Sequence, residues 1–200
     1  VTITVTSGPA TISDGTVTLT GTGNVVLNLA QSGDENWNPA GTTRTIAVGK
    51  GDQSISFPSI SDRQFGDADF GLSATASSGL NISYSVSSGP ATVDGNTIHL
   101  TGAGAVTLQA AQAGNENWNP ATPATQSFTV NKGNAAVTLA GLTQTYDGAP
   151  KTVTATTVPA GLTTSITYDG STTHPTDAGN YAVTGTVNDA NYEGASSGTL

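Results

Sequence analysis

Cysteine and methionine are both absent from the 200 residues. Their absence excludes disulfides, thiolate catalysis and zinc–thiolate sites together, and leaves any small domain to be held by packing alone. A chain without oxidisable sulfur also suits work outside the cell. Helix formers such as Leu, Glu and Lys are scarce, hydrophobic residues make up 35%, and Gly, Thr, Ser, Asn and Ala fill much of the rest. That mixture favours strands and turns. Basic residues are few: five Lys and Arg stand against 14 Asp and Glu, for a net charge of −9. No basic patch can be assembled from them, which argues against nucleic acid or an anionic membrane as the partner. No apolar run approaches the roughly 18 to 20 residues of a membrane span, and no signal peptide opens the sequence.

What is present is repetition. The stretch "SGPATISDGTVTLTGTGNVVLNLAQSGDENWNPA" from Ser7 aligns without a gap with "SGPATVDGNTIHLTGAGAVTLQAAQAGNENWNPA" from Ser88, and well over half of the positions are identical. After a one-residue slip, "IAVGKG" (46–51) matches "FTVNKG" (128–133). The repeating unit is therefore about 80 residues, the size of a small domain rather than one coil of a solenoid. A third, divergent copy follows Lys132, in which "TYDGAP" from Thr145 answers "QFGDAD" from Gln64 and "NYEGA" from Asn191 answers "NWNPA" from Asn117. Tyr192 then stands where Trp37 and Trp118 stand. The expected organisation is a module over 1–49 lacking its first strands, a complete module over 50–131 and a nearly complete, divergent module over 132–200. Such a sequence reads as a window on a longer tandem array.

Each copy reads as a string of short strands of period two. In the second copy the inward set is Phe70, Leu72, Ala74 and Ala76, then Ile82, Tyr84 and Val86, then Ile98 and Leu100, then Val106, Leu108 and Ala110, and last Phe128 and Val130. Asp14-Gly15, Asp94-Gly95, Asp147-Gly148 and Asp169-Gly170 supply the positive φ of tight hairpins. About seven strands in some 80 residues is the pattern of an all-β, immunoglobulin-like antiparallel sandwich. No connection is long enough for a helical crossover, so a parallel sheet is not expected.

The third copy contains "DAGNY" (177–181), with Val183 where an antibody domain carries its second Cys. This resembles the D-x-G-x-Y tyrosine corner of immunoglobulin domains. The aligned "GTGNV" and "GAGAV" put Val25 and Val106 at the Tyr position, so the corner is confined to the third copy. Together with "TYDGAPKTVTATTVPAGL" and "ENWNPA", the chain resembles the bacterial immunoglobulin-like repeats known as MBG or YDG domains over nearly its whole length. The resemblance implies a building block of very large secreted or cell-surface proteins and is uninformative about ligands.

Both tryptophans sit in one polar octapeptide, "GDENWNPA" and "GNENWNPA". The favoured reading is structural: a ring folded over the end of the sandwich, with flanking Asn residues capping the loop. A sugar platform needs several exposed aromatics on one face.

Other chemistry is thin. "GASSG" (194–198) fits the nucleophile-elbow spelling but lacks the strand, turn and helix around it. His99 and His174 are the only candidate bases, the first on an outward strand position and the second in a Thr/Pro loop. No carboxylate pair recurs as a sugar hydrolase needs. Asp67 with Asp69, and Asp34, Glu35 and Asp52 near module ends, offer oxygen ligands for calcium, but Asp34 becomes Asn115 and Asp52 becomes Asn134 in the next copy, so solvated acidic loops are the better reading. Lys50 and Lys132 recur at linkers, a poor place for a buried internal cross-link. The Thr-x-Thr pairs are ordinary outward strand residues on a twisted sheet rather than an ice-binding ladder.

The sequence thus predicts no enzyme, with no catalytic residue, cofactor or metal. It predicts a stalk or spacer repeat of a bacterial surface, adhesin-type or filament protein, extracellular or at the cell surface. Its partners are neighbouring modules of the same chain and other copies in a filament, with no membrane insertion in this segment. The alternative is a glycan- or protein-binding module acting through end loops.

Overall fold

The computed structural model describes residues 1–200 and contains strands and turns but no helix. The first copy holds β1 (Thr2–Ser7), β2 (Ala10–Ser13), β3 (Thr16–Leu19), β4 (Gly23–Gln31) and β5 (Ala40–Val48). The second holds β6 (Ile55–Ser56), β7 (Arg63–Gln64), β8 (Phe70–Gly71), β9 (Thr75–Ala76), β10 (Ser83–Ser88), β11 (Ala91–Asp94), β12 (Thr97–Leu100), β13 (Gly104–Ala111) and β14 (Ala124–Asn131). The third holds β15 (Gly133–Asn134), β16 (Ala136–Ala140), β17 (Thr154–Val158), β18 (Thr164–Tyr168), β19 (Ala182–Val187), β20 (Tyr192–Glu193) and β21 (Ala195–Thr199). By spatial grouping the chain forms two compact units, one of Val1–Phe57, Ala74–Ser83 and Ala110–Ala124, the other of Pro58–Ser73, Tyr84–Gln109 and Thr125–Leu200.

In the first unit β4 is the centre of the sheet β1-β4-β5, antiparallel on both sides. Its alternation buries Val25 and Leu27 while Asn24 stays exposed. In the hairpin β2-β3, Ile12 and Val17 form a cross-strand pair and are both half-buried. In this unit too, β6 pairs with β9.

In the second unit, the sheet β10-β13-β14-β7 and the sheet β11-β12-β8 enclose a core of Ile98, Val106, Leu108, Phe128 and Val130. All fourteen positions read as inward in the second copy are buried or half-buried. Burying one such side chain fully is worth about 1.5–3 kcal/mol, so this alternation rather than any loop carries the fold. In the third copy the sheets β16-β17 and β18-β19-β21 close on Val153, Tyr168 and Val183, with Leu139, Leu142, Ile166 and Leu200 packed against them. The Tyr168 hydroxyl is tied inside, accepting from the Val153 amide at 2.8 Å. The tyrosine corner is made as well, the Tyr181 hydroxyl donating to the Asp177 carbonyl at 3.0 Å.

Three details differ from the sequence reading. The run 70–76 is not one strand but two short ones, β8 pairing with β12 and β9 with β6. The second copy consequently has nine strand segments, four of them only two residues long. Parallel pairs also occur, Val130 with Arg63, Asn131 with Gln64, and Gly133 and Asn134 with Tyr192 and Glu193. Parallel neighbours need a long connection, and here the intervening sandwich itself supplies it in place of a helix.

The hairpins give the third difference. Ser13 pairs with Thr16, and the two loop residues Asp14 and Gly15 have φ of 49° and 76°. In the second copy the aligned loop is Gly95-Asn96, because Asp94 is already paired with Thr97, and only Gly95 is positive, at 59°. The first is the double-positive pattern of a type I′ turn and the second that of type II′. Shifting one glycine by one place changes the turn but keeps the register.

Candidate functional site at the junctions between copies

The aromatic octapeptide is held in the same way in all three copies. Asp34 Oδ1 accepts from the amides of Asn36 and Trp37 at 2.8 and 2.9 Å. Asn115 Oδ1 does so for Asn117 and Trp118 at 2.8 and 3.0 Å, and Asp189 Oδ1 for Asn191 and Tyr192 at 2.7 and 3.1 Å. The Asp34 amide donates to the Trp37 carbonyl at 2.9 Å, and the Asn115 amide to the Trp118 carbonyl at 3.0 Å. The capping residue is thus the Asp or Asn three places before the ring, not the Asn residues beside it. An Asp in one copy and Asn in the next supply the same oxygen, which explains why the charge at this position is free to vary.

Two of the three rings sit on a glycine of the linker. A Cβ placed on Gly51 would lie 2.9 Å from Trp118 Cζ3, and one on Gly133 would lie 3.0 Å from Tyr192 Cε1. Only glycine lets the ring approach the backbone so closely. The edges are stitched by main chain: the Gly51 amide donates to the Asn117 carbonyl at 2.9 Å and the Asn119 amide to the Gly51 carbonyl at 2.8 Å. In the third copy the Gly133 amide donates to the Asn191 carbonyl at 2.8 Å, and Phe65 meets Tyr192 edge-on at 5.3 Å.

The lysine before each glycine closes the loop. Lys50 Nζ donates to the Asn115 carbonyl at 2.7 Å, and Lys132 Nζ to the Asp189 carbonyl at 2.5 Å. The recurrence of these lysines was legible in the sequence, and their partner is the carbonyl of the capping residue.

The Asn ahead of each ring reaches into the preceding copy. Asn117 Oδ1 accepts from the Thr22 amide at 2.9 Å, and the Thr22 hydroxyl donates to the Glu116 carbonyl at 2.8 Å. Asn191 Oδ1 accepts from the Ala103 amide at 2.9 Å. Thr22 and Ala103 are aligned residues, so both junctions use one clamp: Lys, Gly, ring and Asn. The sequence reading had the ring as a lid and missed this cross-copy hydrogen bond; the signal was the Asn that precedes Trp37, Trp118 and Tyr192 alike.

Trp37 departs from the pattern. Its side chain is 73% exposed, although its loop has the same internal hydrogen bonds. Trp118 and Tyr192 are half-buried against linker glycines rather than over the sandwich core, and Trp37 covers nothing, so the reading of the ring as a lid fails for Trp37 and is changed for the other two. Lys-Gly occurs only twice in the sequence, and both pairs are used by the other two rings.

The remaining candidates are scattered. His99 Nδ1 lies 2.6 Å from Asp69 Oδ2, and the Asp67 carboxylate accepts from the Gln64 amide, so each of the two carboxylates has its own protein partner. His174 is exposed with its ring edge-on to Tyr168. Asp52 accepts from the Asn119 side chain at 2.9 Å. "GASSG" runs along β21, an extended strand rather than a turn.

Residues 135–200 match the family model described as MBG domain. The matched segment lies within the third copy and contains the tyrosine corner, Asp189 and Tyr192. No curated protein matches the chain. Among solved structures, the crystal structure of Drosophila N-cadherin EC1-4 matches with a TM-score of 0.33 at 12% identity, over 98% of this chain and 64% of that one.

Proposed function

We propose that this chain is a non-catalytic spacer, a run of β-sandwich repeats whose work is reach and controlled stiffness in a bacterial surface or secreted protein of adhesin or filament type. The observation that carries the reading is the clamp found at both junctions, in which a linker Lys-Gly pair, an aromatic ring and an Asn side chain join consecutive copies. A short linker alone leaves neighbours free to swivel. A linker stitched to a loop on one side, with that loop hydrogen-bonded to the copy before it, removes that freedom. Stability is then a sum over copies plus a nearest-neighbour contribution, as in other repeat proteins. The surplus of acidic residues keeps such a protein soluble and self-repelling.

The absence of cysteine makes the test direct. Spin labels at Thr11→Cys and Thr75→Cys flank the first junction, and pulsed electron paramagnetic resonance reads the distance distribution between them. A narrow distribution that broadens on Asn117→Ala, with thermal stability nearly unchanged, is the expected result. An equally broad distribution in the parent chain would remove the stiffening role. The exposed ring of Trp37 is the one observation favouring ligand capture through end loops; a glycan array that depends on Trp37→Ala tests that reading.

A further inference from the structure

Chain direction decides how a pair of strands carries tension. A hairpin has both of its free ends on one side, so pulling on them opens its hydrogen bonds one at a time. A parallel pair made by a strand that enters a domain and the strand that leaves it has its free ends on opposite sides. Pulling then slides one strand along the other and loads every bond between them together.

The second copy is closed by a pair of this second kind. β7, on the entering side, lies parallel to β14, the strand that leaves, with Arg63 opposite Val130 and Gln64 opposite Asn131. Further bonds extend the seam at both ends. The Thr129 amide donates to Asp62 Oδ1 at 2.7 Å, the Phe65 amide to the Asn131 carbonyl at 2.8 Å, and Gln64 Nε2 to the Lys132 carbonyl at 3.0 Å. Arg63 lies over the Phe70 ring at 4.4 Å, and Phe70 meets the buried ring of Phe128 edge-on at 5.8 Å. Sliding β7 past β14 must also pull that stack out of register.

The same geometry continues into the third copy. One residue after β14, Gly133 and Asn134 of β15 lie parallel to Tyr192 and Glu193 of β20. The Gly133 amide donates to the Asn191 carbonyl at 2.8 Å and the Ala135 amide to the Glu193 carbonyl at 2.7 Å. The strand that leaves the second copy is therefore the one that enters the third, and parallel pairs hold it on either side of Lys132.

We propose that the seam between residues 62–65 and 129–132 is a force-bearing clamp, which keeps the second copy folded while the chain is under tension. Parallel pairs, not expected in a sandwich built from hairpins, thereby acquire a use: pull is passed along the repeats without their lengthening. The use of the clamp rests on the spacer reading, but its strength does not. It belongs to one copy rather than to the first junction, so a freely swivelling first junction would remove the stiffening role and leave the clamp standing.

The lack of cysteine allows DNA handles to be attached to the whole chain at chosen pairs of sites and pulled in optical tweezers. Handles at Ser59→Cys and Asn134→Cys draw β7 and β14 from opposite ends; handles at Ala68→Cys and Asn134→Cys draw them from the same end. All three sites are exposed, and Ser59 lies between β6 and β7, so the pull reaches the seam directly. The expected rupture force is about two-fold or more higher in the first geometry, because forced unfolding is governed by the barrier that is pulled upon. Rupture should release about 200–230 Å of chain as residues 66–128 extend. Asp62→Ala should lower the force in the first geometry and leave the second unchanged, since its bond to Thr129 is at the end of the seam farthest from where peeling starts. Ser83→Ala removes a bond to the Ala111 carbonyl away from the seam and should alter neither. Equal forces in the two geometries, or a loss on Ser83→Ala as large as that on Asp62→Ala, overturns the proposal.

Discussion

At the scale of single residues, the clamp depends on what glycine lacks. Gly51→Val puts a side chain where the indole of Trp118 lies, within 2.9 Å of a ring carbon from Cβ alone. The ring must lift, and the expected loss is about 1–3 kcal/mol by denaturant unfolding, with Trp118 emission moving to the red. Gly133→Val should cost more, because its Cβ also meets the Phe65 carbonyl oxygen at 2.7 Å, and backbone cannot swing aside. The two hairpin turns offer a sharper contrast. Gly15→Ala should cost about 1 kcal/mol, since Gly15 has φ of 76° with nothing near its missing Cβ and the penalty is purely one of backbone. Asn96→Ala, at the aligned position in the second copy, should be close to neutral, because the positive φ there belongs to Gly95. Equal losses at both sites would refute the assignment of different turn types.

At the scale of the element, the octapeptide is a loop that folds on itself before it touches anything else. Asn115→Ala removes the oxygen that two amides share and should cost about 1 kcal/mol, whereas Asn115→Asp should restore stability, as Asp34 and Asp189 do in the other copies. Thermal unfolding of the two variants separates them. The 145–151 turn carries a titratable counterpart. Lys151 Nζ lies 2.5 Å from Asp147 Oδ1, and that hydrogen bond, helped by the Ala149 amide, holds the Asp147 carboxyl below its ordinary range. A lowered carboxylate favours the folded state above the ordinary carboxylate range, and the advantage is lost as pH falls through the lowered value. Lys151→Gln should therefore raise the Asp147 midpoint towards the ordinary range in a carbon-detected titration. The group is exposed, so added salt should shrink the difference.

At the scale of the whole molecule, order passes from copy to copy through few atoms. Asn117→Ala takes one acceptor from the Thr22 amide and leaves each interior untouched. Exchange at Thr22 should quicken about five- to ten-fold, as loss of a hydrogen bond worth about 1 kcal/mol requires, with amides of β13 unaffected. Quickening throughout the second copy would mean that the junction is part of the sandwich's own cooperative unit. Asn191→Ala should act likewise at Ala103.

By itself the sequence determined the all-β class, the repeat, fourteen inward positions in the second copy and the tyrosine corner at Tyr181. These are local: a period of two and a turn glycine act within a few residues, so they can be read along the chain. Only the tertiary structure decided that 70–76 divides between two partners, that Asn117 and Asn191 reach the preceding copy, and that octapeptides differing at one residue leave Trp118 seated and Trp37 exposed. In each of those cases the outcome depends on a partner tens of residues away. A ring's burial is a property of what lies beneath it, and its own neighbours in sequence carry no record of that.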